Sequence, residues 1–281
     1  MAGARYMDGC NDKEKTYKVG SSAQEHSEST HEIMIEQRVA PDALHPPASA
    51  TLGRRKDQIN GRITCYMCEQ VNTTPEHVPP KCIFPEVKDL GIDYRKSLIT
   101  VPSCDAHNLR KSKDDEYLMF VLTCSITNNE AAMKQIETKI LRAWRRNSRL
   151  KELLLRINRP IIAKGKSTLA FKVDIGRFNR SLDWIARGLY YNQYEKKWSA
   201  KLRIESPAML FLEGKDALKS NKILNHMGVA VNHALSDLPK IGENPDIFWY
   251  QMLHNSLDEL LINMMFFGGL QVFAFNKSGM A

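Results

Sequence analysis

The sequence contains no run of apolar residues approaching the roughly 20 that a helix needs to cross a membrane. Its first 30 residues have no continuous apolar stretch and include the acidic residues Asp8, Asp12, Glu14 and Glu25. They therefore match neither a secretory signal nor a transit peptide, both of which are poor in acidic residues. These absences predict a cytoplasmic protein without a membrane anchor.

Cysteine is scarce and unevenly distributed along the chain. Of the six cysteines, four lie between residues 65 and 104, and only Cys10 and Cys124 lie outside that interval. Without an export signal, a disulfide framework is not expected, because cytosolic thiols are kept reduced. The clustered cysteines predict metal binding instead.

Positive charge is in excess and is concentrated in one segment. The formal net charge is +8 and the isoelectric point is near 9.1, while hydrophobic residues make up 43% of the chain. Between Lys134 and Lys166 there are eleven Lys and Arg residues against Glu137 and Glu152. Such clusters displace counterions from phosphates, so we expect a nucleic-acid partner. The hydrophobic content argues separately against a globally disordered chain.

The chain divides into three parts by composition. Residues 1–60 are rich in Ser, Glu, Lys, Gly and Pro and predict a mostly disordered leader. Residues 61–125 hold the cysteine motifs, and residues 126–281 predict a basic helix followed by an α+β domain with an antiparallel sheet. In this last part, helical spacing covers 130–158, 181–196 and 215–238, and strand patterns cover 246–252, 257–267 and 270–275.

Two short ligand pairs enclose the central motif. Cys65 and Cys68 are separated by two residues, as are Cys104 and His107. Each pair can lie on a tight turn that directs both ligand atoms at one tetrahedral ion, and zinc prefers such Cys and His ligands. Cys82 is an alternative ligand without a partner at that spacing. The contrary interpretation is that Cys104 is a small buried residue and His107 a surface histidine.

The segment between the pairs reads Glu76-His77-Val78-Pro79-Pro80-Lys81. Its prolines exclude a helix and predict an extended or turning conformation. A short strand is predicted over 98–101, and after Pro102 a helix is predicted through 106–119. The order is therefore two extended segments followed by a helix.

The stretch 65–116 combines the two ligand pairs, the Glu-His segment and the Asn108-x2-Lys111 that follows the second pair. In these features it resembles the zinc-binding variant of the HNH endonuclease family. The resemblance implies a ββα-metal finger with a structural zinc. It also implies that His77 is the general base, and that Glu76 and Asn108 are ligands of a catalytic Mg²⁺ or Mn²⁺.

Three positions depart from the family pattern. Glu76 stands where Asp is more common, and His107 stands where many relatives have Cys. The middle Asn, which usually orients the base, has no clear counterpart, and Ser97 is the nearest candidate. We expect these departures to bear on activity more than on fold.

Basic residues near the motif are candidates for contact with nucleic acid, most simply double-stranded DNA. Those that follow the motif recur near one face of the predicted basic helix, which would let them track a phosphate backbone, although a solvated face would have the same pattern. The acidic run 114–116 could supply a further metal ligand or could equally be a solvated helix face. The candidate phosphate contacts are Lys81, Lys111, Arg142, Arg145, Arg146 and Arg149.

The sequence thus predicts an HNH-type endonuclease that hydrolyses phosphodiester bonds. The alternatives are a non-catalytic zinc-finger-like protein that binds nucleic acid, and a zinc-stapled adaptor between proteins. His226 and His233 could share a helix face, but packing or surface roles are expected of them rather than a second metal site. The segment around Arg187-Gly188 and the aromatic C-terminal strands resemble regions attached to this HNH subgroup, without an assigned role.

Overall fold

The computed structural model describes residues 58–59, 62–108, 111–146, 158–163 and 166–276. The leader predicted over 1–60 lies almost entirely outside these residues. The chain divides into two compact units, and the first contributes to the described residues only residues 158–163 and 166–172, which include a β-hairpin. The second spans 38–146 and 173–281, so the predicted boundary after residue 125 falls inside it.

The described elements mix helices with antiparallel strands, which confirms the predicted α+β class. The strands are β1 (Gln58–Ile59), β2 (Arg62–Ile63), β3 (Thr74–His77), β4 (Thr100–Ser103), β5 (Asn158–Ala163), β6 (Lys166–Phe171), β7 (Arg203–Glu205), β8 (Ile241–Asn244), β9 (Phe248–His254), β10 (Leu260–Phe266) and β11 (Leu270–Phe275). The helices are α1 (Val87–Leu90), α2 (Asp105–Asn108), α3 (Ser112–Thr123), α4 (Glu130–Gln135), α5 (Leu141–Arg146), α6 (Ile175–Tyr194) and α7 (Ala217–Ala234).

A five-stranded antiparallel sheet forms the C-terminal half of the second unit, in the order β7-β11-β10-β9-β8. Alternate side chains of its strands point to opposite faces. On one face, His254 packs against the rings of Tyr190 and Tyr194 of α6. On the other, Gln251 donates hydrogen bonds to the carbonyl groups of Leu235 and Leu238, just beyond α7. The two helices therefore cover opposite faces of the sheet.

Four side-chain amides lie at the centre of the face beneath α7. Asn263, which is fully buried, bonds to Asn232 and Gln251, each at 3.3 Å, and accepts from Gln271 at 2.9 Å. Gln271 also donates to Asn232 at 2.9 Å. The two buried amides of this row, Asn263 and Gln251, therefore both have hydrogen-bond partners, as buried polar groups require.

Helix α3 is the central element between the cysteine motifs and the sheet. Six consecutive residues, from Tyr117 to Leu122, are buried, so the second half of the helix contacts protein around its whole circumference. It packs against α4 and α6. This burial holds α3, and the motif residues at its start, in a fixed position relative to α6.

The helix predicted over 130–158 begins at Glu130, where the Asn129 side chain accepts from the Ala132 N–H and caps it. It continues through a π-helical turn at Ile136–Ile140 into α5, and residues 147–157 lie outside the described part. Strand β4 begins two residues later than predicted, and the predicted helix after Pro102 is divided into α2 and α3. Helix α6 begins six residues before its predicted start, β9, β10, β11 and α7 lie within four residues of their predicted bounds, and β7 and β8 were not predicted.

Candidate metal centre and adjoining carboxylate site

The first ligand pair lies on a tight turn after β2. A bridge between Thr64 and Val71 closes the turn, and the Cys65 N–H donates to the Gln70 carbonyl at 2.8 Å. Within it, the Met67 N–H points at Cys65 Sγ at 3.4 Å. The two-residue spacing thus brings both sulfurs to the same side of the turn.

The second pair lies where β4 passes into α2. Cys104 follows the strand directly, and the His107 N–H donates to the Cys104 carbonyl at 3.0 Å. The Tyr66 N–H donates to the Pro102 carbonyl at 2.8 Å, which attaches the first turn to β4. This backbone bond sets the two ligand pairs side by side despite the distance between them in sequence.

The four predicted zinc ligands converge. Their ligand atoms all lie within 4.8 Å of one another. His107 Nδ1 is 3.6 Å from Cys65 Sγ, 3.5 Å from Cys68 Sγ and 3.3 Å from Cys104 Sγ, and Cys68 and Cys104 Sγ are 3.8 Å apart.

These distances match tetrahedral coordination. A zinc ion with Zn–S bonds of about 2.3 Å and Zn–N bonds of about 2.0 Å separates two sulfurs by roughly 3.8 Å and a sulfur from a nitrogen by roughly 3.5 Å. Cys82 is not part of the cluster, since its thiol donates to the Asp115 carbonyl instead. The structure therefore contains a Cys₃His cluster that can bind a metal such as zinc.

Strand β3 connects this cluster to a second group of polar residues. Glu76, opposite Val101 of β4, is 3% exposed. Its Oε1 accepts from the Tyr66 hydroxyl at 3.2 Å and from the Lys111 ammonium, while its Oε2 is buried without a hydrogen-bond partner in the described residues. A buried carboxylate with one unpaired oxygen is costly and marks a candidate functional site.

Lys111 and Asp115 complete this group, one helical turn apart. The Lys111 side chain is 3% exposed, and its Nζ is 4.0 Å from Asp115 Oδ1. Burial raises the pKa of Asp115 to about 6, with Glu76 adding to the rise and Lys111 opposing it. Lys111, predicted to contact phosphate, is instead buried, because its charge is needed inside the protein to compensate the two carboxylates.

His77 follows Glu76 at the end of β3 and is half-buried. Its Nδ1 is buried and has no hydrogen-bond partner among the described side chains. Burial lowers the pKa of His77 below its usual range; Lys81 and Arg95 act in the same direction, and Glu76 opposes them. The imidazole is therefore neutral near pH 7, the form that accepts a proton.

Asn108, the third predicted catalytic residue, lies at the end of α2 and donates to Thr74 Oγ1 at 2.7 Å. Thr74 and Glu76 are two residues apart on β3, so they share one face of the strand, and alternation directs His77 toward the other. The structure therefore brings Asn108 to the Glu76 face of β3, while the imidazole of His77 lies at the strand end and is directed to the opposite face.

The side chains of the acidic run 114–116 point to different partners. Asp114 accepts from Arg177 Nε at 2.5 Å and from Arg180 at 3.2 Å, so it attaches α3 to α6. Asp115 alone is shown facing Lys111 and Glu76. One member of the run thus belongs to the carboxylate group and another to the packing of the fold.

The other predicted phosphate contacts differ in accessibility. Lys81 is exposed close to His77, and Arg145 is exposed on α5. Arg142 donates to both carboxylate oxygens of Asp89 at 2.6 and 2.8 Å, so its charge is already paired. Arg146 ends α5, where its side chain is not described, and Arg149 lies outside the described residues.

Comparisons with models of protein families, with curated proteins and with solved structures find no match to this chain. Among the helices described here, none has both the length and the apolar character needed to span a membrane. His226 and His233 are exposed on α7, and in the described residues the Cys₃His group is the single convergent set of three or more Cys, His, Asp or Glu ligands.

Sequence reasoning missed Tyr66 and did not anticipate that Lys111 is buried against Glu76. Tyr66 lies inside the first Cys pair, where its hydroxyl reaches Glu76. The signal for the Lys111 pairing was present, because Lys111 and Asp115 stand at the i,i+4 spacing that places two side chains on one helix face. The pairing of Lys111 with Glu76 could not be inferred in the same way, since it joins residues 35 apart in the chain.

Proposed function

We propose that this protein is a metal-dependent endonuclease of the HNH type that hydrolyses phosphodiester bonds in DNA. The observation that carries the proposal is the position of Glu76 and His77. They lie on the strand that the Cys₃His cluster fixes against β4, with a helix following directly. A ββα-metal finger has this order of elements.

Zinc in the Cys₃His cluster would be structural. Four protein ligands leave no position for water or substrate, so the ion would hold the two ligand turns against each other. The fit of the sulfur and nitrogen distances to tetrahedral geometry supports zinc. The chemistry would then belong to the neighbouring residues of β3 and α2.

His77 is the proposed general base. Its lowered pKa keeps the ring neutral near pH 7, and the ring can then take a proton from a water molecule as that water attacks phosphorus. Nδ1 has no protein partner among the described residues. The exposed Lys81 beside the ring supplies positive charge where a phosphate would lie.

Glu76 and Asn108 would hold a divalent cation through oxygen atoms, as Mg²⁺ and Mn²⁺ prefer. The unpaired Glu76 Oε2 fits this role, and Asn108 bonds to Thr74 through Nδ2, so Oδ1 is the atom that would bind a cation. When bound, the cation stabilises negative charge on the phosphate and its leaving oxygen.

The decisive experiment is a nicking assay on supercoiled plasmid DNA with Mg²⁺ or Mn²⁺, with zinc measured in the same samples. We expect the wild-type protein to nick and His77→Ala to lose activity while it retains one zinc per chain. His226→Ala is the matched control, because this exposed histidine lies on α7 outside the candidate site. Equal nicking by the wild type and His77→Ala would remove the proposal.

One observation favours the second function, a non-catalytic zinc module that binds nucleic acid. The Glu76 carboxylate is already compensated by Lys111, which competes with a divalent cation for the same group. This alternative predicts salt-dependent binding without cleavage, measured by gel shift beside the nicking assay. Absence of both binding and cleavage at low salt would instead favour a protein–protein adaptor.

Under each alternative, we place the protein in a reducing, cytoplasmic compartment, since the cluster requires free thiols.

A further inference from the structure

Helix α6 borders the candidate site along one face. Near its start, Arg177 and Arg180 bind Asp114 at the beginning of α3. Further along, Trp184 lies under the Lys111 ammonium, whose Nζ is 5.8 Å from the ring centre. Gly188 lies one turn beyond Trp184, at the spacing that keeps two residues on the same helix face.

At Gly188 this face touches the strand end that carries His77. A Cβ atom added at Gly188 would lie 2.7 Å from Val78 Cγ2, 2.9 Å from Val78 Cγ1 and 3.3 Å from Val78 Cβ. Carbon atoms in ordinary contact are about 3.5–4.0 Å apart. The helix therefore approaches the residue after His77 as closely as only glycine permits.

Val78 has little freedom to move away from such a Cβ. It is 2% exposed, and its N–H donates to the Ile99 carbonyl at 3.0 Å. Its β-branched side chain is restricted about χ1, so a rotation to relieve one methyl contact would bring the other methyl closer. An added methyl at Gly188 would therefore displace the backbone of β3 at its end.

We propose that Gly188 is a positioning residue for His77. Because it lets α6 contact Val78 directly, Gly188 sets the distance between α6 and the end of β3. That distance determines the position of the His77 imidazole. This inference rests on the proposed function in that His77 is taken to be the reacting group. It assigns a role to the Arg187-Gly188 segment, which the nuclease proposal leaves without one.

The first test compares Gly188→Ala with Gly176→Ala in the same helix. At Gly176 an added Cβ meets only Asp174 Oδ1 at 3.6 Å, which is an ordinary contact. Both changes place alanine in a helix, so they share the gain in helix propensity. We expect Gly188→Ala to lower kcat on the order of tenfold to a hundredfold with little change in KM for DNA. Gly176→Ala should match the wild type, and both variants should retain zinc.

The second test is rescue by Gly188→Ala/Val78→Ala, which removes the two methyl groups that the new Cβ would meet. The NMR signal of the His77 ring, assigned by its loss in His77→Gln, provides a readout independent of activity. We expect the signal to shift in Gly188→Ala and to return toward its wild-type position in the double variant, with partial recovery of kcat.

The outcomes separate this inference from the nuclease proposal. If the wild type does not nick DNA, the proposed function fails, while the His77 signal still decides the positioning role. An unshifted signal in folded Gly188→Ala, or a double variant shifted as far as the single one, would overturn the inference. If Gly188→Ala does not fold, the double variant decides: a folded protein with the wild-type His77 signal supports the role, and failure to recover contradicts it.

Discussion

Two groups of side chains flank the β3–β4 hairpin, and they are built in different ways. The Cys₃His cluster is made of four ligands from two short turns, each with two residues between its ligands. The carboxylate group consists of Glu76, Lys111 and Asp115, brought together from a strand and a helix and buried with opposite charges in contact. The first depends on local spacing, and the second depends on the tertiary fold.

This difference means that the two groups should respond differently to mutation. Loss of a metal ligand removes the ion and its whole contribution to folding. Loss of one partner in the carboxylate group leaves the rest of the fold in place, but the remaining buried charge then has no compensating partner.

Cys104→Ser should abolish stoichiometric zinc binding and lower the melting temperature more than any other variant proposed here. In small zinc domains, metal binding supplies on the order of 10–16 kcal/mol of apparent free energy, so loss of a ligand removes a large stabilising contribution. Zinc content and thermal unfolding measure the change. Cys124→Ser is the control, since Cys124 is a free thiol outside the cluster. A Cys104→Ser protein with full zinc and an unchanged melting temperature would show that the cluster is not a metal site.

Lys111→Met should lower the free energy of unfolding by about 3–5 kcal/mol, because it leaves Glu76 charged and buried without its partner. Urea denaturation measures this loss. Adding Glu76→Gln should restore most of it. Lys134→Met is the comparison, since it breaks the exposed pair with Glu130, a type of pair worth about 0–1 kcal/mol. Equal effects of the two lysine variants would contradict the burial of the carboxylate group.

Asp115→Asn should stabilise the protein at pH 7.5 by on the order of 1–3 kcal/mol and should not do so near pH 4. Burial raises the pKa of Asp115 from 3.8 to about 6, so folding costs the wild type stability as pH rises through that interval. The variant lacks this titration. Melting temperatures of both proteins across pH 4 to 7.5 measure the divergence, and a constant difference over that range would refute it.

Arg142→Ala should leave the salt dependence of DNA binding nearly unchanged, because its guanidinium is engaged by Asp89. By contrast, Lys81→Ala removes an exposed cation and should reduce the slope of log K against log salt by about 0.9 if that cation contacts a phosphate. Binding titrations at several salt concentrations measure both slopes. A reduced slope for Arg142→Ala would show that the ion pair opens to bind DNA.

The parts of the fold that depend on short-range pattern were predictable from the sequence. The cysteine turns, the extended Glu-His segment and the C-terminal strands follow from spacing, proline content and alternation. The two ligand pairs of the Cys₃His cluster were predictable for the same reason, since a Cys-x2-Cys turn needs no distant residue to bring its two sulfurs together.

The remainder depends on partners far away in the sequence. Arg142 lies on a helix face that looks solvated, and only the fold brings it to Asp89, 53 residues earlier. Likewise, nothing local distinguishes Asp114, which binds Arg177, from Asp115, which faces Glu76. The β5–β6 hairpin was missed, since no element was predicted between the helices expected over 130–158 and 181–196.

The row of amides beneath α7 also restricts which strand alignments are possible. Slipping β10 by a single residue would turn Asn263 toward the apolar side of the sheet, away from Gln251 and Gln271. Each amide left unpaired in the interior would cost about 1–3 kcal/mol. Hydrophobic contacts alone would allow several registers of these apolar strands. The amides are paired in only one of them, so a few polar residues determine the register of the sheet.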